Sequence, residues 1–282
     1  MTIEVFFDGL LSEPRLDHPE GVAVHPDGSV WCGGERGQIY RIEDGRIEQV
    51  ASTGGFCLGL AFDSQANLYV CDLAHAALFR LPAHSDRPER FADGADGRRF
   101  VGPNFPAVDA ADRVLVSDNG HADRAGPGIF AFEPDGAGRL WHAGPFHFAN
   151  GLAFDADDTV LYVAETWARR VTAIDVRPDG SAGRSHVVVE LPGMLPDGLA
   201  VDARGRLVVT CYEPSRLLSV DPNTGDWSVL AEDPDAHLLC HPTNAAFQGD
   251  ALLVANLGRW HLSRIPGVGT GLPLPAFRRP LP

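Results

Sequence analysis

No stretch of this 282-residue sequence approaches the roughly 18–20 consecutive apolar residues of a membrane span, so no membrane partner is expected. The opening Met-Thr-Ile-Glu-Val-Phe-Phe-Asp has neither a basic start nor a cleavable apolar run, which argues against a secretory leader. Cysteine is scarce. The five residues Cys32, Cys57, Cys71, Cys211 and Cys240 are odd in number and lack Cys-x-x-Cys spacing, so neither a disulfide framework nor a zinc cage is expected. Three of them sit inside apolar runs and read as small buried hydrophobes, in keeping with a reducing cytoplasm. Positive charge is also short: 23 Lys+Arg against 38 Asp+Glu gives a formal net charge of −15. Such a surface repels nucleic-acid phosphates and leaves a small molecule as the expected partner, with the chain a monomer or weak homo-oligomer. Nor does any useful length carry the 3.6-residue apolar period of an amphipathic helix.

What is abundant is turn chemistry. The 31 Gly and 22 Pro are spread along the chain rather than gathered in one tail, which implies many tight turns and not disorder. Between the turns one pattern recurs six times. Its copies begin Glu-Gly-Val-Ala-Val-His (20–25), Leu-Gly-Leu-Ala-Phe-Asp (58–63), Asn-Phe-Pro-Ala-Val-Asp (104–109), Asn-Gly-Leu-Ala-Phe-Asp (150–155), Asp-Gly-Leu-Ala-Val-Asp (197–202) and Thr-Asn-Ala-Ala-Phe-Gln (243–248). The first residues are 38, 46, 46, 47 and 46 positions apart. Each copy continues into a second strand (29–32, 68–71, 114–117, 160–164, 207–210, 252–255) and a third (38–42, 77–81, 129–132, 170–175, 216–220, 261–265). Fourth strands are expected at 47–51, 89–91, 140–143, 186–190 and 227–231. Four-stranded units at this period predict an all-β, six-bladed β-propeller, one domain over 1–282. The sixth copy has no fourth strand of its own, because 266–282 is rich in Gly and Pro. The strand-like segment 3–7 is therefore expected to complete the last blade and close the ring.

The first strand of each blade lines the channel of a propeller, so residues of equal register converge on its axis. That register reads Glu20, Leu58, Asn104, Asn150, Asp197, Thr243. Asp residues five positions later (Asp63, Asp155, Asp202) fit ordinary turn caps, but turn chemistry does not ask for Glu at the near end of the strand. Glu20, Asn104, Asn150 and Asp197 form a hard, all-oxygen set suited to one divalent cation, Ca²⁺ before Mg²⁺, Mn²⁺ or Zn²⁺. Leu58 and Thr243 leave part of the ring uncoordinated. Two other motifs fail. Asp155-Ala-Asp157-Asp158 opens like an EF-hand loop but has Val160 where Gly is needed, and the Gly-x-Gly fragments at 126–128 and 267–269 precede no helix.

The segments Pro19-Glu20-Gly21, Asn150-Gly151-Leu152-Ala153 and Pro196-Asp197-Gly198 resemble the signatures of the gluconolactonase, luciferin-regenerating enzyme and regucalcin-like (SMP-30) propellers. The likeness runs over essentially the whole chain, including Ala255-Asn256-Leu257-Gly258-Arg259 and the following Gly-Leu-Pro-Leu-Pro. Propellers of the diisopropyl fluorophosphatase type are similar in placing Glu, Asn, Asn and Asp around catalytic Ca²⁺. Val163-Ala164-Glu165-Thr166 and Leu191-Pro192-Gly193-Met194 resemble the strictosidine-synthase-like branch. The resemblance implies a metal-dependent hydrolase that opens a lactone or related ester, with Asp197 as metal ligand and general base or nucleophile. A non-hydrolytic condensation or isomerisation and a non-catalytic Ca²⁺-binding propeller stand as alternatives.

Two sets of loops at one end of the ring are expected to wall the pocket. Those before the inner strands carry Cys57, Gly102, Pro103, His147, Phe148 and His241. Those after the second strands carry Glu35, Asp72, Asn119, His121, Glu165, Trp167, Tyr212 and Asn256. Asn104, Asn119, His121, His147, Glu165, Trp167, Tyr212 and His241 are the candidate substrate contacts, the histidines as acid/base groups and Trp167 as a stacking platform. Sugar lactonases of this family carry Arg two residues before the third-blade Asn. Here that position is Gly102, which points away from gluconolactone and toward a less polar lactone or ester.

Overall fold

The structure, a computed structural model, describes residues 1–273. Its described residues contain no α-helix, as the missing 3.6-residue period requires, and so none long and apolar enough to cross a membrane. Six four-stranded antiparallel sheets surround a central axis. Their innermost strands are Val22–Val24, Cys57–Phe62, Pro103–Val108, Ala149–Phe154, Leu195–Val201 and Pro242–Gln248, in the order of the sequence repeat. Each strand alternates sides, so each blade presents apolar residues to both neighbours. One core cluster accordingly joins Tyr162, Ala164 and Val171 of the fourth blade to Leu199, Leu207 and Val209 of the fifth.

The last blade closes as the sequence predicts. Its order runs from Pro242–Gln248 through Ala251–Asn256 and His261–Ile265 to the N-terminal strand Glu4–Asp8. Glu4 lies opposite Arg264, and Phe7 is buried with Leu16, Val22 and Leu262 across the junction of the sixth and first blades. The edge that the sixth repeat would leave unpaired is thereby covered. The Gly/Pro-rich tail extends beyond 273, and from 274 onward it lies outside the described residues. Before that, Leu272 N donates to Val201 O over 3.1 Å, tying the chain's course to the fifth blade.

Acidic turn caps at the far end of the inner strands behave as the repeat implies. Asp63 Oδ1 accepts from the amides of Gln65 and Asn67 at 2.9 and 2.8 Å, and Asp202 Oδ1 from those of Arg204 and Arg206 at 2.8 and 2.9 Å. One element was not foreseen, the short hairpin Gly94–Ala95 with Arg98–Arg99 between the second and third blades. Its Asp96-Gly97 turn has positive φ at both residues, 52° and 73°, which is a strong hairpin signal that two-residue strands are too short to reinforce.

Ring closure yields a prediction. Phe7→Ala is expected to lower the unfolding free energy by about 3 kcal/mol, and removal of residues 1–8 by more, because the edge of His261–Ile265 is then bared. Urea denaturation followed by fluorescence checks both, and unchanged midpoints would contradict the closure role.

Candidate metal centre

The ladder between inner and second strand breaks at the same place in five blades. In the fourth, Ala149 pairs with Glu165 and Leu152 with Val163, so Asn150 and Gly151 together oppose one residue, Ala164. The same skip puts Leu58-Gly59 against Cys71, Asn104-Phe105 against Ser117, Asp197-Gly198 against Thr210 and Thr243-Asn244 against Ala255. In the first blade the paired part of the strand begins only at Val22, just past Glu20-Gly21. Each such bulge frees two consecutive residues from the ladder near the start of the inner strand. The second residue must be small where neighbouring strands crowd together. A Cβ on Gly151 would lie 2.6 Å from the Gly198 Cα, and one on Gly21 would lie 2.4 Å from the Leu58 carbonyl oxygen.

Hydroxyl groups fix the bulges and link the blades. Ser117 Oγ accepts from Phe105 N at 3.1 Å and donates to the Asn150 carbonyl at 2.6 Å, one blade on. Thr166 Oγ1 accepts from Asn150 Nδ2 at 3.2 Å and donates to the Pro196 carbonyl at 2.7 Å. Thr210 Oγ1 accepts from Gly198 N at 2.7 Å and donates to the Thr243 carbonyl, and Thr243 Oγ1 donates to the Glu20 carbonyl at 2.5 Å. From the fourth blade round to the first, a backbone carbonyl at or next to the ligand register (Asn150, Pro196, Thr243, Glu20) thus accepts from the preceding blade's hydroxyl.

The four expected ligands all stand in this register and are buried, Glu20, Asn104, Asn150 and Asp197, with Asp197 close enough to raise Glu20 and Asn150 hydrogen-bonded to Asp197. Asn104 Oδ1, Asn150 Oδ1 and Asp197 Oδ1 have no hydrogen-bond partner among the described residues. A buried acceptor left unpaired costs about 1–3 kcal/mol, so three converging here ask for a cation or a donor from outside the chain. Electrostatics points the same way. Burial and the neighbouring Asp197 carboxylate hold the Glu20 carboxyl well above its ordinary range, with only the Asn244 hydrogen bond pulling it back. Burial pushes Asp197 up to about 8, with Asn150 opposing the shift. Neither carboxylate has an Arg or Lys partner among the described residues. The donor set is all oxygen and fits a hard divalent cation. Among the described residues one trio of Asp, Glu and His also gathers, Asp17, His18 and Glu35 at the same rim. There, however, Asp17 Oδ2 already accepts from Arg36 Nε and Gln38 Nε2 at 3.2 and 3.1 Å.

The wall residues divide into two kinds. Glu165 is fully buried with both oxygens engaged, by Arg170 Nε at 2.7 Å, Thr172 Oγ1 at 2.6 Å and His147 N at 3.1 Å. Its expected substrate contact is corrected accordingly: it braces the loop before Asn150. Asp72, Asp118 and Asn256 do the same for the loops before the second, third and sixth inner strands, accepting from Phe56 N, Gly102 N and Cys240 N at 3.2, 2.9 and 2.9 Å. The other kind is more open. Tyr212 and His241 stack with centroids 4.5 Å apart, and His241 Nδ1 lies 3.1 Å from Glu213 Oε1 and 3.3 Å from Tyr212 O. Both neighbours are acceptors, so Nδ1 carries a proton. Exposed Trp167 packs against Phe148 at 5.2 Å, His121 and His147 are exposed, and Asn119 is buried. A Cβ at Gly102 would lie 2.1 Å from Asn119 Oδ1, so Asn119 fills the space that a side chain at 102 would use.

A cavity of about 610 Å³ lies beyond the second bulge residues, at the opposite end of the axis. It is lined by Phe62, Phe105, Phe154 and Phe247 among other apolar side chains and lacks all four ligand residues. The buried thiols of Cys57 and Cys211 are each pushed up to about 12 by burial, which keeps them protonated in the metal-free chain. Sequence reasoning missed Asn244, Thr166, Thr210 and Ser117. Asn244 had a visible signal, since it stands where four of the six repeats have Gly.

Comparison with known proteins places this fold. A gluconolactonase from Xanthomonas campestris superposes with a TM-score of 0.78 at 22% identity, over 94% of this chain and 89% of its own. A calcium-binding regucalcin from Agrobacterium tumefaciens gives 0.72 at 18% identity, over 92% and 93%. At these identities the likeness is one of fold. Strictosidine synthase-like protein 6 of Arabidopsis thaliana is 29% identical over 212 residues, 67% of this chain and 55% of that protein. The chain spans about half the length of the curated relatives it matches. The profile of the SMP-30/gluconolactonase/LRE-like region matches residues 18–254, and the chain belongs to that family.

Proposed function

We propose that the protein is a divalent-cation-dependent hydrolase that opens a lactone or related carboxylic ester at the mouth of its channel. Family membership supports a lactonase-type activity. The observation that carries the reading is the buried quartet, three unpartnered oxygens and two uncompensated carboxylates on one axis. Glu20, Asn104, Asn150 and Asp197 would hold the ion. Ca²⁺ is favoured by the oxygen set and by the likeness to a calcium-binding propeller, with Mg²⁺, Mn²⁺ and Zn²⁺ as the other candidates. Bound there, a cation supplies a Lewis acid for the scissile carbonyl.

The chain's own residues supply the rest. Asp197 is the general base: it takes a proton from the attacking water, whose oxygen bonds to the carbonyl carbon. It then returns the proton to the leaving oxygen as the ring C–O bond breaks. Tyr212, His241, His147, His121, Asn119 and Trp167 form the substrate wall. Asn119 in the space beside Gly102 leaves no cationic grip for a sugar carboxylate, which favours a less polar lactone or ester. The five buried free cysteines support residence in a reducing cytoplasm. The Arabidopsis relative supports a second reading, a non-hydrolytic condensation or isomerisation on the same scaffold.

Two measurements test this. In a panel of lactones and esters with added Ca²⁺, wild type is expected to turn over at least one substrate, chelator to abolish it, and Asp197→Asn to lower kcat by about 10²-fold or more. Cation binding without hydrolysis of any panel member would leave the binding or non-hydrolytic readings. The second measurement is stability against pH. Both carboxyls titrate above their unfolded values, so the folded chain binds more protons than the unfolded one between about pH 4 and about pH 8. Without metal, the melting temperature should fall as pH rises through that window. Saturating Ca²⁺ should flatten the fall, and Asp197→Asn should remove much of it. A melting temperature that rises with pH in chelator would contradict the buried carboxylate pair.

A further inference from the structure

The repeat register nominates Thr243 as the sixth blade's contribution to the ring, and its side chain is spent on the Glu20 carbonyl. The bulge delivers a second residue from that blade. Asn244 is 1% exposed, and its Nδ2 donates to the Glu20 carbonyl oxygen at 3.1 Å and to Glu20 Oε2 at 3.2 Å. Both neighbours of that nitrogen are acceptors, so the orientation of the amide is fixed. Its Oδ1 is buried without a partner among the described residues, in the space next to Gly198, where a Cβ would approach it to 2.5 Å.

At this second bulge position the other blades carry Gly21, Gly59, Phe105, Gly151 and Gly198. Only the sixth blade places a polar side chain there, in room that Gly198 leaves open. It is also the side chain that donates to the Glu20 carboxylate, since no other hydrogen bond to that carboxylate is made among the described residues.

We propose that Asn244 is a positioning residue of the cation centre: by donating Nδ2 to Glu20 Oε2 it fixes the carboxylate's rotamer and leaves the other oxygen, Oε1, for the ion. The inference rests on the cation-binding reading of the ring. It gives the sixth blade a part in the centre, even though that blade supplies no ligand. An amide serves where a carboxylate would not, because it offers an N–H to Glu20 and adds no third negative charge. Partners that orient ligands in this way typically contribute about 10–100-fold to metal affinity.

The test is Ca²⁺ titration by calorimetry on the full chain at neutral pH, with metal-free thermal unfolding measured alongside. Asn244→Ala and the isosteric Asn244→Asp are each expected to bind Ca²⁺ at least about tenfold more weakly than wild type. Tighter binding by Asn244→Asp would overturn the proposal, because it would mean that the side-chain oxygen faces the ion directly. Unchanged affinity in Asn244→Ala, with only a lowered melting temperature, would also overturn it and leave Asn244 a packing residue. Should Asn244→Asp not fold, Asn244→Ala decides alone. A wild type that binds no Ca²⁺ overturns the cation reading itself, and this inference with it.

Discussion

Two carboxylates buried side by side, Glu20 and Asp197, are the constraint around which the rest of the molecule is arranged. Each has lost most of its water and neither has gained an Arg or Lys among the described residues, so without a cation burial raises both above the ordinary carboxylate range. Such an arrangement persists only in a scaffold that over-determines it. Here the scaffold is a closed ring, in which Glu20 comes from the first blade and Asp197 from the fifth. The sixth blade lies between them and is itself finished by the N-terminal strand. Separation of the blades would return both carboxyls to water, and interblade packing such as that of Phe7 with Leu16 and Leu262 opposes it.

The bulges translate ring closure into local chemistry. A regular strand would point successive residues to opposite faces, so only one of each pair could reach the axis. Two residues opposed by one break that alternation at the ligand register, and Ser117 and Thr210 take up backbone groups that the ladder no longer pairs. The same hydroxyls reach the carbonyls of the next blade, so a ligand's backbone is held by its neighbour as well as by its own strand. The loops above are held likewise by Asp72, Asp118, Glu165 and Asn256. The mouth therefore rests on buried acidic and amide braces, while Tyr212, His241 and Trp167 are more exposed.

Fold class, blade count and the closing strand were all legible in the sequence, and so was the register in which the four expected ligands stand. They follow from periodicity: six copies at one spacing require six equivalent units, and equal register in a ring means convergence on the axis. What escaped was whatever breaks the period. The hairpin at Gly94–Arg99 belongs to no repeat, and Glu165 looked like a wall residue because its loop leads to the mouth, whereas its oxygens turn inward to Arg170, Thr172 and the His147 amide. Asn244 escaped for a subtler reason. A strand pattern assigns one residue per blade to the axis, and only a bulge admits the next one. The sequence by itself thus determined which residues approach the axis. The tertiary structure alone decided which of them face one another and which already have partners, because that depends on interblade contacts between residues far apart in the chain, such as Glu20 with Asn244, whose meeting no local pattern records.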